Sequence, residues 1–109
     1  MINYKRNYRI MCGLTNKDLC YILDGIKKHT EIDKAIIFGI RALGNYKKGS
    51  DIDLTISGVE ITKDILNDLY DYLNEVCPLP YFFDLLHYES ITNNNLKRHI
   101  DEYGKLIYK

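Results

Sequence analysis

Two short runs constrain this chain more than anything else in it. Lys34 to Gly39 (KAIIFG) is β-branched and aromatic, the composition of a strand buried on both faces. Asp51 to Ser57 (DIDLTIS) alternates polar with apolar residues, which is the period of a second strand, and Gly58 ends it. Between them Arg41 to Ser50 (RALGNYKKGS) is polar and carries two glycines, a loop with room for one helical turn. Helical periods surround the pair. Leu19, Ile22, Leu23 and Ile26 recur at helical spacing behind a cap at Thr15 or Asn16, in a helix expected to end near His29, where a cation suits the carbonyl end. Ile65, Leu66, Leu69, Tyr72, Leu73 and Val76 form the expected buried stripe of a helix that Thr62 caps and Pro78 stops, with Pro80 keeping the next residues extended. Tyr81 to Tyr88 (YFFDLLHY) reads as a third strand. Ser90 or Thr92 is expected to open a last helix through Tyr103, Gly104 to close it as a C-cap, and Lys105 to Tyr108 to add a terminal strand. The predicted fold class is α/β (α+β), a small mixed sheet with helices packed on it.

The 109 residues are enough for one domain, expected over 1–109, and too few for two. A 46% hydrophobic fraction argues against disorder. Lys plus Arg (15) balance Asp plus Glu (15), and this zero net charge argues against a sequence-blind nucleic-acid binder, which would carry a basic excess. Cys12, Cys20 and Cys77 are odd in number and too far apart for a zinc or dithiol motif, so they read as thiols of a reducing, cytoplasmic setting. The longest apolar run, Ala35 to Ile40, falls far short of the ~20 residues that span a bilayer. Residues 1–13 begin basic and lack a signal-peptide apolar stretch; they read as a weakly ordered leader, with no export indicated.

Three acidic residues stand in strands that otherwise want apolar neighbours: Asp51, Asp53 and Asp84. Asp51 and Asp53 are two apart, so both leave the same face of a strand. Adjacent carboxylates repel, and a hard divalent cation removes the conflict; oxygen-only ligands suit Mg²⁺. Three carboxylates on adjacent strands would hold two such ions, an arrangement used for phosphoryl and nucleotidyl transfer. An Asp-x-Asp pair alone is more often a strand-entry cap or a solvated strand end. Asp84, flanked by Phe82, Phe83, Leu85 and Leu86, fits that plain reading less well.

The stretch Phe38-Gly39-Ile40-Arg41-Ala42 through Gly44 to Gly49-Ser50-Asp51-Ile52-Asp53-Leu54 resembles the signature of the DNA polymerase β-like nucleotidyltransferase superfamily, and in its detail the minimal nucleotidyltransferases of the MntA antitoxin type. The resemblance runs from about Leu14 to Tyr108 and includes Phe83-Asp84-Leu85-Leu86. It implies a polymerase β-like fold and a nucleotide site in which Gly39, Ile40, Arg41 and Ser50 meet the phosphates. It also implies that Asp51, Asp53 and Asp84 are both catalytic residues and ligands of Mg²⁺, with ATP as substrate. The partner it implies is a HepT-like HEPN RNase toxin, neutralised when AMP is moved from ATP to a tyrosine hydroxyl. The length is expected to leave no segment beyond the core for recognising a small substrate, an expectation that favours a protein acceptor over an antibiotic. The chain departs from the pattern at Ile40, where the family usually has Ser; Ile donates nothing to a phosphate, and losing one donor to a charged group costs about 1.5–3 kcal/mol. The alternative function is therefore a catalytically impaired module that neutralises its toxin by contact.

Arg41 reads equally as a phosphate contact or as the structural partner of a carboxylate. Lys47 and Lys48 read as solvated, His87 as structural because it faces away from Asp84, His29 and His99 as helix-surface residues, and the tyrosines as packing residues.

Overall fold

The computed structural model describes residues 12–47 and 49–109. Helix α1 (Asn16–Lys27) starts on a reciprocal capping box: Thr15 Oγ1 accepts from Asp18 N–H, and the Asp18 carboxylate accepts from Thr15 N–H, both at 3.1 Å. Strand β1 (Lys34–Phe38) follows, then a single turn α2 (Ile40–Leu43) and strand β2 (Ile52–Ser57). Helix α3 (Lys63–Asp71) runs on into a π turn over Tyr72–Val76. Strand β3 (Phe83–His87), a 3-10 turn (Tyr88–Ser90), helix α4 (Asn94–Tyr103) and strand β4 (Lys105–Tyr108) complete the order. The sheet order is β3-β2-β1-β4. β1 is antiparallel to both β2 and β4, while β2 and β3 are parallel and need the α3 crossover between them. The mixed sheet with packed helices is the architecture the hydrophobic periods predict.

The two faces of this sheet differ. Ala35, Ile37, Ile52, Leu54, Ile56 and Phe83 point to one side and join Leu14, Ile22, Ile26, Leu69 and Leu73 from the α1 and α3 side in one continuous core. Each fully buried Ile, Leu or Phe there contributes about 1.5–3 kcal/mol. Gly25 lets α1 lie against Tyr72 and Leu69, because a Cβ at 25 would meet the Tyr72 ring at 2.5 Å. The other face carries Ile36, Phe38, Asp53, Thr55 and Asp84, and α4 covers part of it through buried Ile100. This thinly covered face is where polar groups can stand.

Three local expectations are corrected. Val76 is 67% exposed instead of buried, because the π turn adds a residue per turn and rotates the stripe out of phase after Leu73. The last helix opens at Asn93, whose Oδ1 accepts from Asn95 and Leu96 N–H, whereas Ser90 Oγ is engaged by His87 Nδ1 at 3.0 Å. Gly104 does close α4 as its C-cap, its N–H donating to Ile100 O at 2.9 Å, in an extended conformation (φ −61°, ψ 148°) and not a left-handed one. A Cβ there would collide with Ile100 O and Ile36 Cγ2, and close packing is what requires glycine. His29 is not a free surface residue: its Nε2 is 2.7 Å from Asp68 Oδ2 and ties the end of α1 to α3. Of the expected leader, residues 1–11 lie outside the described residues, while the Cys12 carbonyl is held by Arg41. Among the described residues no helix is long and apolar enough to cross a membrane.

Candidate active site

β1 ends where β2 and β3 begin, and the three candidate carboxylates stand at that end. Asp53 is the register partner of Phe38 on one side and of Asp84 on the other. Directly paired residues share a face, so Asp53 and Asp84 project side by side, while Asp51 stands just before β2, close enough to act electrostatically on Asp53. Burial pushes the Asp53 carboxyl above its usual range, and the Asp84 and Asp51 carboxylates push it further. Asp53 is half-buried between two exposed carboxylates, and clustered oxygen donors of this kind are the chemistry of a hard-cation site. Among the described residues no three such side chains close into a ready-made cage. The donor set nevertheless fits Mg²⁺: three hard oxygen ligands whose mutual repulsion a divalent cation would relieve.

Gly39 links this cluster to α2. Its φ of +76° and ψ of −150° belong to a region only glycine visits readily, and a Cβ would strike Asp53 Oδ2. The glycine therefore brings backbone against a carboxylate of the site. Its N–H donates to His99 Nε2 at 2.9 Å. His99 is thus part of the site and not a helix-surface residue. One signal in the sequence points there: Leu96, His99, Ile100 and Tyr103 fall at i, i+3, i+4 and i+7, which places His99 on the sheet-facing stripe of α4. Ile40, the next residue, is 49% exposed and presents an apolar side chain at the start of the turn.

Arg41 is 3% exposed and has a role that neither sequence reading named. Its Nε and one terminal nitrogen donate to Ser50 O at 3.0 and 2.7 Å, and the other donates to Cys12 O at 2.8 Å. Its partners are carbonyls rather than a carboxylate. Tyr46 and Tyr81 flank the guanidinium at 5.0 and 4.8 Å from their ring centres. The arginine closes the 41–50 loop upon itself. Ser50 Oγ accepts from Lys47 N–H at 2.9 Å, so Ser50 finishes that loop immediately before Asp51. Lys47 is exposed, as expected of a solvated loop, and Lys48 lies outside the described residues. His87 is structural as read: its Nε2 is 2.9 Å from Gly58 O and 3.1 Å from Glu89 Oε1.

A groove of about 680 Å³ runs elsewhere, between Ile61 and Leu66 on the α3 side and Ile91 and Leu96 on the α4 side, over Leu85 and Leu86 of β3. None of the three aspartates lines it. We place the site at the carboxylates, because converging titratable groups and a strained glycine mark chemistry better than apolar concavity does.

The sequence profile of the family described as "Polymerase beta, Nucleotidyltransferase" matches residues 21–109. No curated protein matches. Among solved structures, a chain of a toxin–antitoxin complex with AMP-PNP superposes with a TM-score of 0.69 at 18% identity, covering 84% of this chain and 73% of the other. A chain of the complex between a tri-AMPylated Shewanella oneidensis HEPN toxin and the MNT antitoxin gives 0.58 at 17% identity, covering 97% and 72%. A putative nucleotidyltransferase from Sulfolobus solfataricus gives 0.54 at 15%, covering 94% and 84%. At such identities these likenesses speak for the fold.

Proposed function

The chain belongs to the polymerase β nucleotidyltransferase family, and we propose that it is an antitoxin of the MntA type that moves AMP from ATP to a tyrosine hydroxyl of a HepT-like HEPN RNase toxin in the cytoplasm. The observation that carries this reading is the in-register pair Asp53–Asp84, with Asp51 just ahead of β2, set against the positive-φ turn at Gly39. Two solved structures of similar fold support its finer part: one toxin–antitoxin complex contains AMP-PNP and another an AMPylated toxin.

In this reading the backbone opening α2 receives the triphosphate, since the first amides of a helix have no carbonyl partner within it. Arg41 holds the loop that delivers Asp51, through Ser50, to the site. Asp51, Asp53 and Asp84 would hold Mg²⁺, which when bound supplies charge neutralisation for the phosphates. The tyrosine Oη attacks the α-phosphorus and a new P–O bond forms. The bond from that phosphorus to the oxygen bridging to the β-phosphate breaks, and pyrophosphate leaves with the electron pair. The Asp84 carboxylate, exposed on the edge strand, accepts the phenolic proton.

The test is to incubate the purified pair with α-labelled ATP and Mg²⁺. Label on the toxin that disappears with Asp53→Ala supports the reading; label in both reactions, or in neither, contradicts it. A second reading, neutralisation by contact alone, is favoured by Ile40, whose side chain offers a phosphate no donor. It requires toxin inhibition to survive Asp51→Ala and Asp53→Ala.

A further inference from the structure

We propose that His99 is a positioning residue for nucleotide binding: its imidazole, accepting from Gly39 N–H, fixes the Gly39–Ile40 turn in the shape that a triphosphate meets. The inference rests on the nucleotidyltransferase reading above and adds a residue from α4 to its machinery. Glycine is the residue least able to choose its own conformation, so a functional turn built on φ +76° needs restraint from outside. Here the restraint comes from two sides. His99 Nε2 accepts from the amide at 2.9 Å, and the Asp53 carboxylate abuts the α-carbon. The imidazole is itself held, edge-on to Phe38 at 6.3 Å between ring centres and tilted against Tyr103 at 5.6 Å. Phe38 immediately precedes Gly39 and pairs with Asp53, so one contact surface joins helix, turn and carboxylate. An accepting Nε2 carries no proton, which places the proton of the neutral ring on Nδ1. Ile40 sharpens the requirement: with no hydroxyl at that position, phosphate binding relies on backbone donors, and their aim depends on the shape of the turn.

The experiment uses the ¹⁵N-labelled full chain with Mg²⁺ and AMP-PNP, comparing His99→Ala with His99→Gln, whose side-chain oxygen can accept the same bond. In His99→Ala the Gly39 amide proton is expected to move upfield. The AMP-PNP dissociation constant and the KM for ATP rise by about three- to tenfold, as for one lost hydrogen bond. The kcat at saturating ATP stays within about twofold, which separates positioning from a general loss of folded enzyme. His99→Gln recovers most of the affinity. Unchanged affinity in His99→Ala, an unmoved Gly39 amide, or equal losses in both variants would overturn the proposal. Failure of the wild-type chain to bind AMP-PNP overturns the nucleotidyltransferase reading itself and this role with it, whereas binding that ignores His99 overturns this role alone.

Discussion

Asp53 carries a conflict that its surroundings build deliberately into one side chain. Burial first, then the Asp84 and Asp51 carboxylates, raise its carboxyl above the ordinary value of 3.8. A group whose folded-state value is raised contributes stability below its unfolded value and loses that contribution as pH rises through the folded one. In EDTA, therefore, Asp53→Asn melts higher than the wild type by a few degrees at about pH 8, and the gap closes toward about pH 4. Thermal melts across that range check it, and added Mg²⁺ raises the wild-type melting point but not that of the variant. Gly39→Ala forces a side chain into a glycine-only conformation and against Asp53 Oδ2, and is expected to cost about 2 kcal/mol or more in urea unfolding. Ile40→Ser restores a donor to the turn and is expected to increase AMP transfer about tenfold or more, read from initial rates at subsaturating ATP. The aspartates were legible in the sequence because an Asp in an apolar run violates a local preference, and Gly39 because it stands in the stretch that resembles the family signature. The partner of His99 was not, because 60 positions separate it from Gly39 and only the sheet brings them together.

At the scale of elements, the loop from Arg41 to Ser50 shows how a buried cation can be structural without an anion. Three N–H groups of Arg41 serve two carbonyls, and two aromatic rings flank the guanidinium. Arg41→Lys keeps the charge but loses the planar fork, so it is expected to destabilise the fold by about 2–3 kcal/mol, measured by urea unfolding. The strands and helices themselves followed the periods of the sequence closely, and β4 came where KLIY suggested it. The misses share one cause. Several residues were competent for each local task, and tertiary contacts chose among them. Asn93 capped α4 because Ser90 was taken by His87, and the π turn after Asp71 moved Val76 to the surface.

Over the whole molecule, the sheet sorts residues into an apolar face that supplies stability and a thinner face that supplies chemistry. Tyr72 and Tyr81 pack at the periphery of the first, and Tyr88 bonds Asp101 of α4, which lies on the second. Burial, followed by its contact with Cys77, pushes Tyr72 up to about 12, and Tyr81 and Tyr88 are also raised, by burial and by Asp101 respectively. By the same sign rule, stability is lost as pH rises through about 10 to about 12, and Tyr72→Phe removes part of that loss. Zero net charge, which at first only excluded a basic nucleic-acid binder, is here an average over a carboxylate cluster and cations placed elsewhere. The most direct test of the proposed function is the intact mass of the HepT-like partner after incubation with this chain, ATP and Mg²⁺. The partner should gain whole AMP units on tyrosine with the wild-type chain and none with Asp53→Ala. A partner neutralised at unchanged mass would contradict the proposal.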